Sequence, residues 1–507
     1  MLAKVNSCAV VGLDGVLVEV EVYVGGGVPG IVIVGLPDAA VQESRERVRA
    51  AIRNSGGRVP HGHVTVNLAP ADLKKAGPTY DLPIAVGTLI ASRQIHADVA
   101  DTLIVGELSL DGIVRHTPGI ISMVSLAAER GLRRAIVPAD DAPEAALIEG
   151  IDIISVRTLT DVVNYLNGEL PIDPFRPQER VADAAPGYLA DFSEIRGQEH
   201  VKRALEIAAA GGHNVLMTGP PGSGKTMLAR ALPSILPPMT INEALEVTKI
   251  YSVRGMLPPE TPLLRDRPFR SPHHGTSNAG LIGGGSWPRP GEVSMAHRGV
   301  LFLDELPEFQ STTLEMLRQP LEDRRVSVAR ASGTVTFPAN FMLIAAMNPC
   351  PCGYFGDPIR ECRCGSTQIQ RYQKKISGPL LDRIDIHVEA PRVEYEKLAA
   401  RRSGEISREI QGRVTAARVR QAERLKGTGA LTNADMSARD LEQFVTLDAM
   451  GDSMMKNAVT QLSLSPRSYH RILKLARTIA DLEGSGVPVA AQHLAEALQY
   501  RPRQIVS

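Results

Sequence analysis

Eight consecutive residues constrain this chain more than anything else in it. Gly219-Pro220-Pro221-Gly222-Ser223-Gly224-Lys225-Thr226 fits the pattern G-x-x-x-x-G-K-[ST]. A short apolar run, Val215–Met217, precedes it and a helix-like pattern, Met227–Leu232, follows. That is the strand–loop–helix context in which such a loop cradles phosphates. Its glycines let successive backbone N–H groups curl around an anion, and the helix N-terminus adds partial positive charge. Lys225 is expected on the β/γ-phosphates and the Thr226 hydroxyl on Mg²⁺. ATP and Mg²⁺ are therefore the expected nucleotide and metal, on a parallel α/β sheet.

A partner motif lies about 75 residues on. Gly299–Glu305 reads GVLFLDE. Val300–Leu303 is a continuous apolar run suited to a strand buried on both faces. At its end Asp304 can join the Mg²⁺ shell and Glu305 can polarise the attacking water. An acidic strand end of no chemical purpose is the competing reading, and the phosphate loop argues against it. A third strand pattern, Phe341–Ala346, ends at Met347 and Asn348, an amide able to position the water. Gly378–Ile386 places Arg383 after an apolar run and beside Asp382, and Leu464–Arg467 (LSPR) opens a helix pattern with Arg467.

The chain has 507 residues, enough for about three domains. Lys+Arg and Asp+Glu both number 56, so no bulk basic arm holds this protein on nucleic acid; a local patch is still permitted. Aromatic residues are 4%, which weakens any mode of single-strand binding that depends on many stacked rings. No apolar run suits a membrane span, and the start lacks the order of a signal peptide, so a cytoplasmic protein without membrane partners is expected.

Val/Ile/Leu runs at Val16–Val24, Gly30–Val34, Val64–Leu68, Leu103–Glu107 and Ala135–Pro138 alternate with helical stretches such as Ala39–Asn54 and Ser122–Gly131. They predict a separate α/β domain over 1–168. Pro171, Pro174, Pro177 and Pro186 mark 169–190 as a linker. The ATPase core is expected over 191–392. Residues 393–507 read as helical, with amphipathic runs at Ile406–Lys426, Ala438–Phe444 and Tyr469–Leu482.

Four of five cysteines fall within fifteen residues: Cys350, Cys352, Cys362 and Cys364. Four thiolates suit a closed, structural tetrahedral Zn²⁺. The C-x-C spacing is less diagnostic than C-x₂-C, and free thiols or an iron–sulfur cluster are the alternatives. Cys8 is read as a small buried residue.

Taken together, Arg196-Gly197-Gln198, Gly219–Thr226, FRSPHHGTS (269–277), LIGGGSWPRPGEVS (281–294), Gly299–Glu305, NPCPCGY (348–354), Leu380–Ile386 and Ser465–Leu482 resemble the ComM/YifB family of magnesium-chelatase-like AAA+ ATPases over essentially the whole chain. The resemblance implies a homohexameric ring. It makes Asn348 a "sensor one" residue, Arg383 an arginine finger completing the neighbour's site, and Arg467 a "sensor two" arginine from a helical lid. For ComM it implies a DNA branch-migration helicase in natural transformation, with recombination proteins as partners. The first domain resembles the protease domain of Lon and the C-terminal domain of RadA, a ribosomal-S5-like α/β fold. Thr79 stands near Lon's serine position, and Ile121 and Ser122 stand where Lon's lysine would fall. A hydroxyl without a base is not activated, so a non-proteolytic scaffold is expected. Its basic residues Arg45, Arg47, Arg49, Arg53, Lys74 and Lys75 read as a solvated face or a DNA-binding surface.

Two segments suit a ring's pore. Gly280–Ser294 offers Trp287 and Arg289. Arg324–Phe337 reads as a β-hairpin carrying Arg324, Arg325 and Arg330. Arginine contacts to phosphate are sequence-independent, as a translocating motor requires. A surface hairpin with incidental arginines is the alternative. Arg408, Arg413, Arg420 and Arg424 read as a solvated helix face, and His273 and His274 receive no role. The expectation is an ATP-driven hexameric motor on branched, single- or double-stranded DNA. The alternatives are a chelatase-like ATPase remodelling a partner protein, and a non-motor assembly or protease, the last disfavoured by the absent lysine.

Overall fold

The computed structural model describes residues 1–176, 187, 190–258, 261–285, 288–330, 333–393, 404–486 and 488–502. The chain divides into two compact units. One is Met1–Asp183 with Ala244–Leu264; the other is Ala184–Glu243 with Arg265–Ser507. The segment Ala244–Leu264, which sequence alone places inside the ATPase core, packs with the first unit. Ser252 anchors it there, donating to the Glu144 carboxylate and accepting from the Gly119 amide at 3.0 Å.

Among the described residues the first unit has nine strands: β1 Leu2–Val11, β2 Asp14–Gly25, β3 Gly30–Val34, β4 His63–Ala69, β5 Thr102–Ile104, β6 Glu107–Leu108, β7 Val114–Arg115, β8 Arg134–Pro138 and β9 Asp152–Val156. Seven of them form one sheet in the order β3-β4-β2-β1-β5-β8-β9. β1, β2 and β4 pair antiparallel, and the outer pairs β3–β4, β1–β5, β5–β8 and β8–β9 are parallel. Alternation explains the sheet's sidedness. Val18, Val20 and Val22 are buried in β2, while Glu19 and Glu21 point outward to Lys4. The helix Ala39–Asn54 is capped by Asp38, whose carboxylate accepts from the Val41 amide at 2.9 Å. It buries Val41, Val48, Ala51 and Ile52. Thr79 lies in a 3-10 turn, Pro78–Tyr80. The buried Ser122 donates to the Leu13 carbonyl at 2.6 Å, in the helix Ile120–Glu129, which carries no lysine.

The second unit contains β10 Val215–Thr218, β11 Phe269–Arg270, β12 Gly283–Gly284, β13 Arg289–Pro290, β14 Val300–Leu303, β15 Arg325–Arg330, β16 Gly333–Pro338, β17 Met342–Met347 and β18 Ile386–Glu389. Five form an all-parallel sheet in the order β11-β14-β17-β10-β18. β14 and β17 are buried along their whole length, as their unbroken apolar runs require. In such sheets ligands bind beyond the strands' carboxyl ends, and the phosphate loop, Asp304 and Asn348 all follow those ends. β15 and β16 form a separate hairpin, paired from Arg325–Pro338 to Arg330–Gly333.

The expected helices of the last stretch are present as Ser407–Arg424, Ala438–Phe444 and Pro466–Leu482, joined by Ala449–Gln461 and Ala491–Gln499. Of the arginines expected on a solvated helix face, Arg408, Arg413 and Arg420 are exposed and Arg424 is half-buried, and three of the four also have partners within the protein. Arg413 pairs with Glu206 at 2.7 Å, Arg424 pairs with Asp481, and Arg420 donates to the Asp481 carbonyl at 2.9 Å. Tertiary neighbours supply acceptors that helical periodicity cannot reveal. Among the described residues no helix is long and apolar enough to cross a membrane.

Candidate nucleotide site

The loop Gly219–Thr226 leaves β10 and runs into the helix Lys225–Ala231. A side chain at Gly219 would collide with the Ala390 carbonyl at the end of β18, so glycine is required for the loop to pass. Gly222 and Gly224 adopt φ of 77° and 87° with open space beside them, the conformation that turns their amides toward an anion. Ser223 Oγ is buried and has no hydrogen-bond partner. An orphaned buried hydroxyl in an open loop suits a phosphate acceptor.

Lys225 is only 8% exposed. Its ammonium donates to the Gly219 and Pro220 carbonyls at 2.7 and 2.9 Å and to Asn348 Oδ1 at 3.3 Å. Burial lowers its pKa from the ordinary value, opposed by the Asp304 and Glu305 charges. The Thr226 hydroxyl donates to Asp304 at 2.8 Å. This hydroxyl–carboxylate pair at the strand tips supplies the hard oxygen donors Mg²⁺ prefers, and the donor set fits that ion. Lys225, Thr226, Asp304 and Asn348, 123 residues apart at the extremes, thus share one site.

Glu305 follows on β14 with φ of 51°, and its amide donates to Asp304 at 2.9 Å. A left-handed glutamate is uncommon, and such strain concentrates at functional positions. Its carboxylate is more than half exposed and lies 3.7 Å from His274 Nδ1. His274 sits edge-on to Phe309 and against the ring of His273. The sequence reading missed this neighbour, although FRSPHHGTS stood out as a motif. Gln198 was also unassigned; its amide donates to the Ser223 and Pro391 carbonyls, tying the phosphate loop to the end of β18.

Arg383 and Arg467 converge on one acid. Arg383 forms an ion pair with Glu322 and donates to the Pro379 carbonyl at 2.6 Å, with its side chain 8% exposed. Arg467 Nη2 reaches the same Glu322 oxygen at 3.4 Å. Both arginines hold the Glu322 carboxyl below the ordinary glutamate range, Arg383 most strongly.

The four clustered cysteines come together, with all Sγ atoms within 4.8 Å of one another. Cys350, Cys352 and Cys362 sit 3.4 to 3.6 Å apart. A tetrahedral Zn²⁺ with bonds of about 2.3 Å has an edge of about 3.8 Å. The knot abuts the phosphate loop: a Cβ on Gly353 would lie 2.5 Å from Pro221 Cδ. Cys8 is buried and remote in sequence from the cluster.

Of the expected pore residues, Arg289 is exposed on β13 and Arg325 is exposed at the start of β15. Arg330 ends β15 beside the hairpin tip. Trp287 lies outside the described residues. Arg324 is committed to the protein: it pairs with Asp435 and donates to Asn340 Oδ1 at 3.0 Å, bracing the hairpin's base.

A phosphate loop, an acidic strand tip, an asparagine after a third, apolar strand and a helical C-terminal region on a 2-3-4-1-5-type parallel sheet define an AAA+ ATPase. Models of magnesium chelatase subunit ChlI match residues 191–398 and 20–141, and the model of its C-terminal part matches 404–501. YifB of Escherichia coli is 42% identical over 502 residues, covering 99% of this chain and 97% of that protein. The competence protein ComM of Haemophilus influenzae is 43% identical over 505 residues, with the same coverage. Lon protease 2 of Bacillus subtilis is 32% identical over 148 residues, 27% of this chain and 26% of that protein. The chain belongs to the YifB/ComM family of magnesium-chelatase-like AAA+ ATPases.

Proposed function

We propose that this ATPase is a homohexameric motor that drives branch migration of DNA, serving recombination of incoming strands in natural transformation alongside recombination proteins. The observation that carries this reading is the position of the β15–β16 hairpin. It is inserted between β14, which presents Asp304 and Glu305, and β17, which presents Asn348. Its base is closed by the Ala339 amide donating to the Arg324 carbonyl at 2.8 Å. The hairpin is thus joined to the tip of β14 by residues 306–324 and to Asn348 by β17 itself, a covalent link to both strands. Arg325 and Arg330 on the hairpin and Arg289 on β13 supply charge for phosphate contacts. A relative covering almost the whole chain bears the name competence protein.

In the motor, Lys225 and the loop amides hold the nucleotide phosphates, and Thr226 and Asp304 hold Mg²⁺, which neutralises charge on the phosphates. Glu305 accepts the proton of the attacking water and Asn348 orients it. Arg383 serves the site of the adjacent subunit, and Arg467 senses the nucleotide from the helical lid. Cys350, Cys352, Cys362 and Cys364 bind a structural Zn²⁺ that stiffens the segment after Asn348. The matches to magnesium chelatase support a second reading, an ATPase that remodels a partner protein.

The two part on one experiment. Under the motor reading, replacing Arg289, Arg325 and Arg330 by alanine lowers DNA-stimulated ATP hydrolysis and spares the basal rate. Equal loss of both rates, or no stimulation of the parent by DNA, favours the remodelling reading.

A further inference from the structure

The first unit holds a groove of about 630 Å³ whose walls carry Arg45, Arg49, Arg53, Arg58 and His61, against a single acid, Glu46. The structure sorts the basic residues of this region into two groups. Arg47 is internal, paired with the fully buried Asp81 at 2.7 Å, and the buried Lys75 donates to the Pro70 carbonyl. Arg45, Arg49 and Arg53 instead share the groove-facing side of the helix Ala39–Asn54, at spacings of four residues. Arg58 joins them from the segment after the helix. Among the described residues, no carboxylate pairs with any of these four guanidinium groups, and Arg49 Nε is buried without a hydrogen-bond partner. Other arginines of the chain are paired with acids, as in Arg134–Asp101, Arg203–Glu496 and Arg424–Asp481. Four guanidinium groups without a carboxylate partner thus line one concavity.

The spacing identifies the ligand class. Four residues of helix advance about 6 Å, so Arg45, Arg49 and Arg53 form a ladder about 12 Å long. A ladder of planar forks suits a ligand with negative charge repeated at regular intervals, and arginine grips phosphate with two parallel hydrogen bonds. Among the described residues no Phe, Tyr or Trp lines the groove and His61 is its one ring, so it offers little platform for successive bases. We propose that this groove binds the phosphodiester backbone of a nucleic-acid strand, as a contact surface separate from the pore segments of the second unit. The inference deepens the motor reading and rests on it.

The test uses the full chain carrying Arg45→Glu, Arg49→Glu and Arg53→Glu, and a labelled DNA oligonucleotide titrated at several salt concentrations. The expected result is at least a tenfold loss of affinity. The plot of log affinity against log salt becomes flatter by about 2, from roughly 0.7 per lost phosphate contact on a single strand. The melting temperature stays at the parent value, and the triple Arg→Gln variant, which introduces no repulsive charge, shows the same direction. Unchanged affinity and salt slope in both variants overturn the groove while leaving the motor reading intact. A parent protein that binds no DNA overturns both. Polyglutamate displacing DNA from the parent at equal charge concentration assigns the groove to an acidic protein segment and overturns the proposal.

Discussion

The Arg383 guanidinium closes on the Glu322 carboxylate, and Arg467 shares the same oxygen. The two arginines proposed to act on the γ-phosphate, one in the neighbouring subunit and one in its own, are thus both held by a third residue. Glu322 lies in the helix Arg318–Asp323, immediately before the hairpin. To reach phosphate, both arginines must leave it. Glu322→Gln removes the competing charge and is expected to lower the KM for ATP several-fold, raise DNA-independent hydrolysis and reduce the ratio of stimulation by DNA. Steady-state kinetics with and without DNA check this. A higher KM with a lower kcat marks Glu322 as merely structural.

His274 lies 3.7 Å from the Glu305 carboxylate, the group proposed to take the proton from water, and is placed to orient it. His274→Ala is expected to cut kcat about tenfold, by loss of orientation worth roughly 1.4 kcal/mol, while fluorescent-nucleotide affinity stays within twofold. Rapid-quench hydrolysis together with a binding titration separates the two quantities.

The cysteine knot predicts one Zn²⁺ per chain by elemental analysis of protein purified without added metal. Cys350→Ser with Cys352→Ser removes the metal. Because Gly353 packs on Pro221, nucleotide affinity falls along with it. Retention of full nucleotide affinity after metal loss separates the knot from the phosphate loop.

His387 in β18 is half-buried and its pKa is pushed down to about 4, by desolvation first and the nearby Arg471 charge second. In the unfolded chain it titrates near 6.5. The unfolded state therefore binds the extra proton below pH 6.5. Stability is fully present above that value and is lost as pH falls toward 4, by about 3 kcal/mol at most. Denaturant melts between pH 7.5 and 4.5 are expected to show this slope, and His387→Asn is expected to flatten it.

What the sequence revealed follows from the range of the interactions involved. The phosphate loop, Asp304, Asn348 and the hairpin are local patterns set by backbone conformation and strand burial, and they were readable to within a few residues. The strand Gly30–Val34 and the helix Ala39–Asn54 matched to the residue, because glycine and Asp38 mark their starts. The roles of Glu322, His274 and Gln198 could not be read from sequence, although the last two stand in motifs, because they lie in contacts made across folded distance. Arg324 was misread for the same reason: its partner Asp435 is 111 residues away. Arg45, Arg49 and Arg53 could have been separated from Arg47 by helical spacing alone, since four-residue steps define one face.

The central claim is that ATP hydrolysis at Glu305 moves DNA strands. It is tested most directly by following a labelled synthetic four-way junction with the purified protein, ATP and Mg²⁺, beside the Glu305→Gln variant. The account predicts ATP-dependent conversion of the junction to duplex products by the parent, and none by the variant, which still binds nucleotide. A parent that hydrolyses ATP at the same rate with or without the junction, and leaves the junction intact, contradicts it.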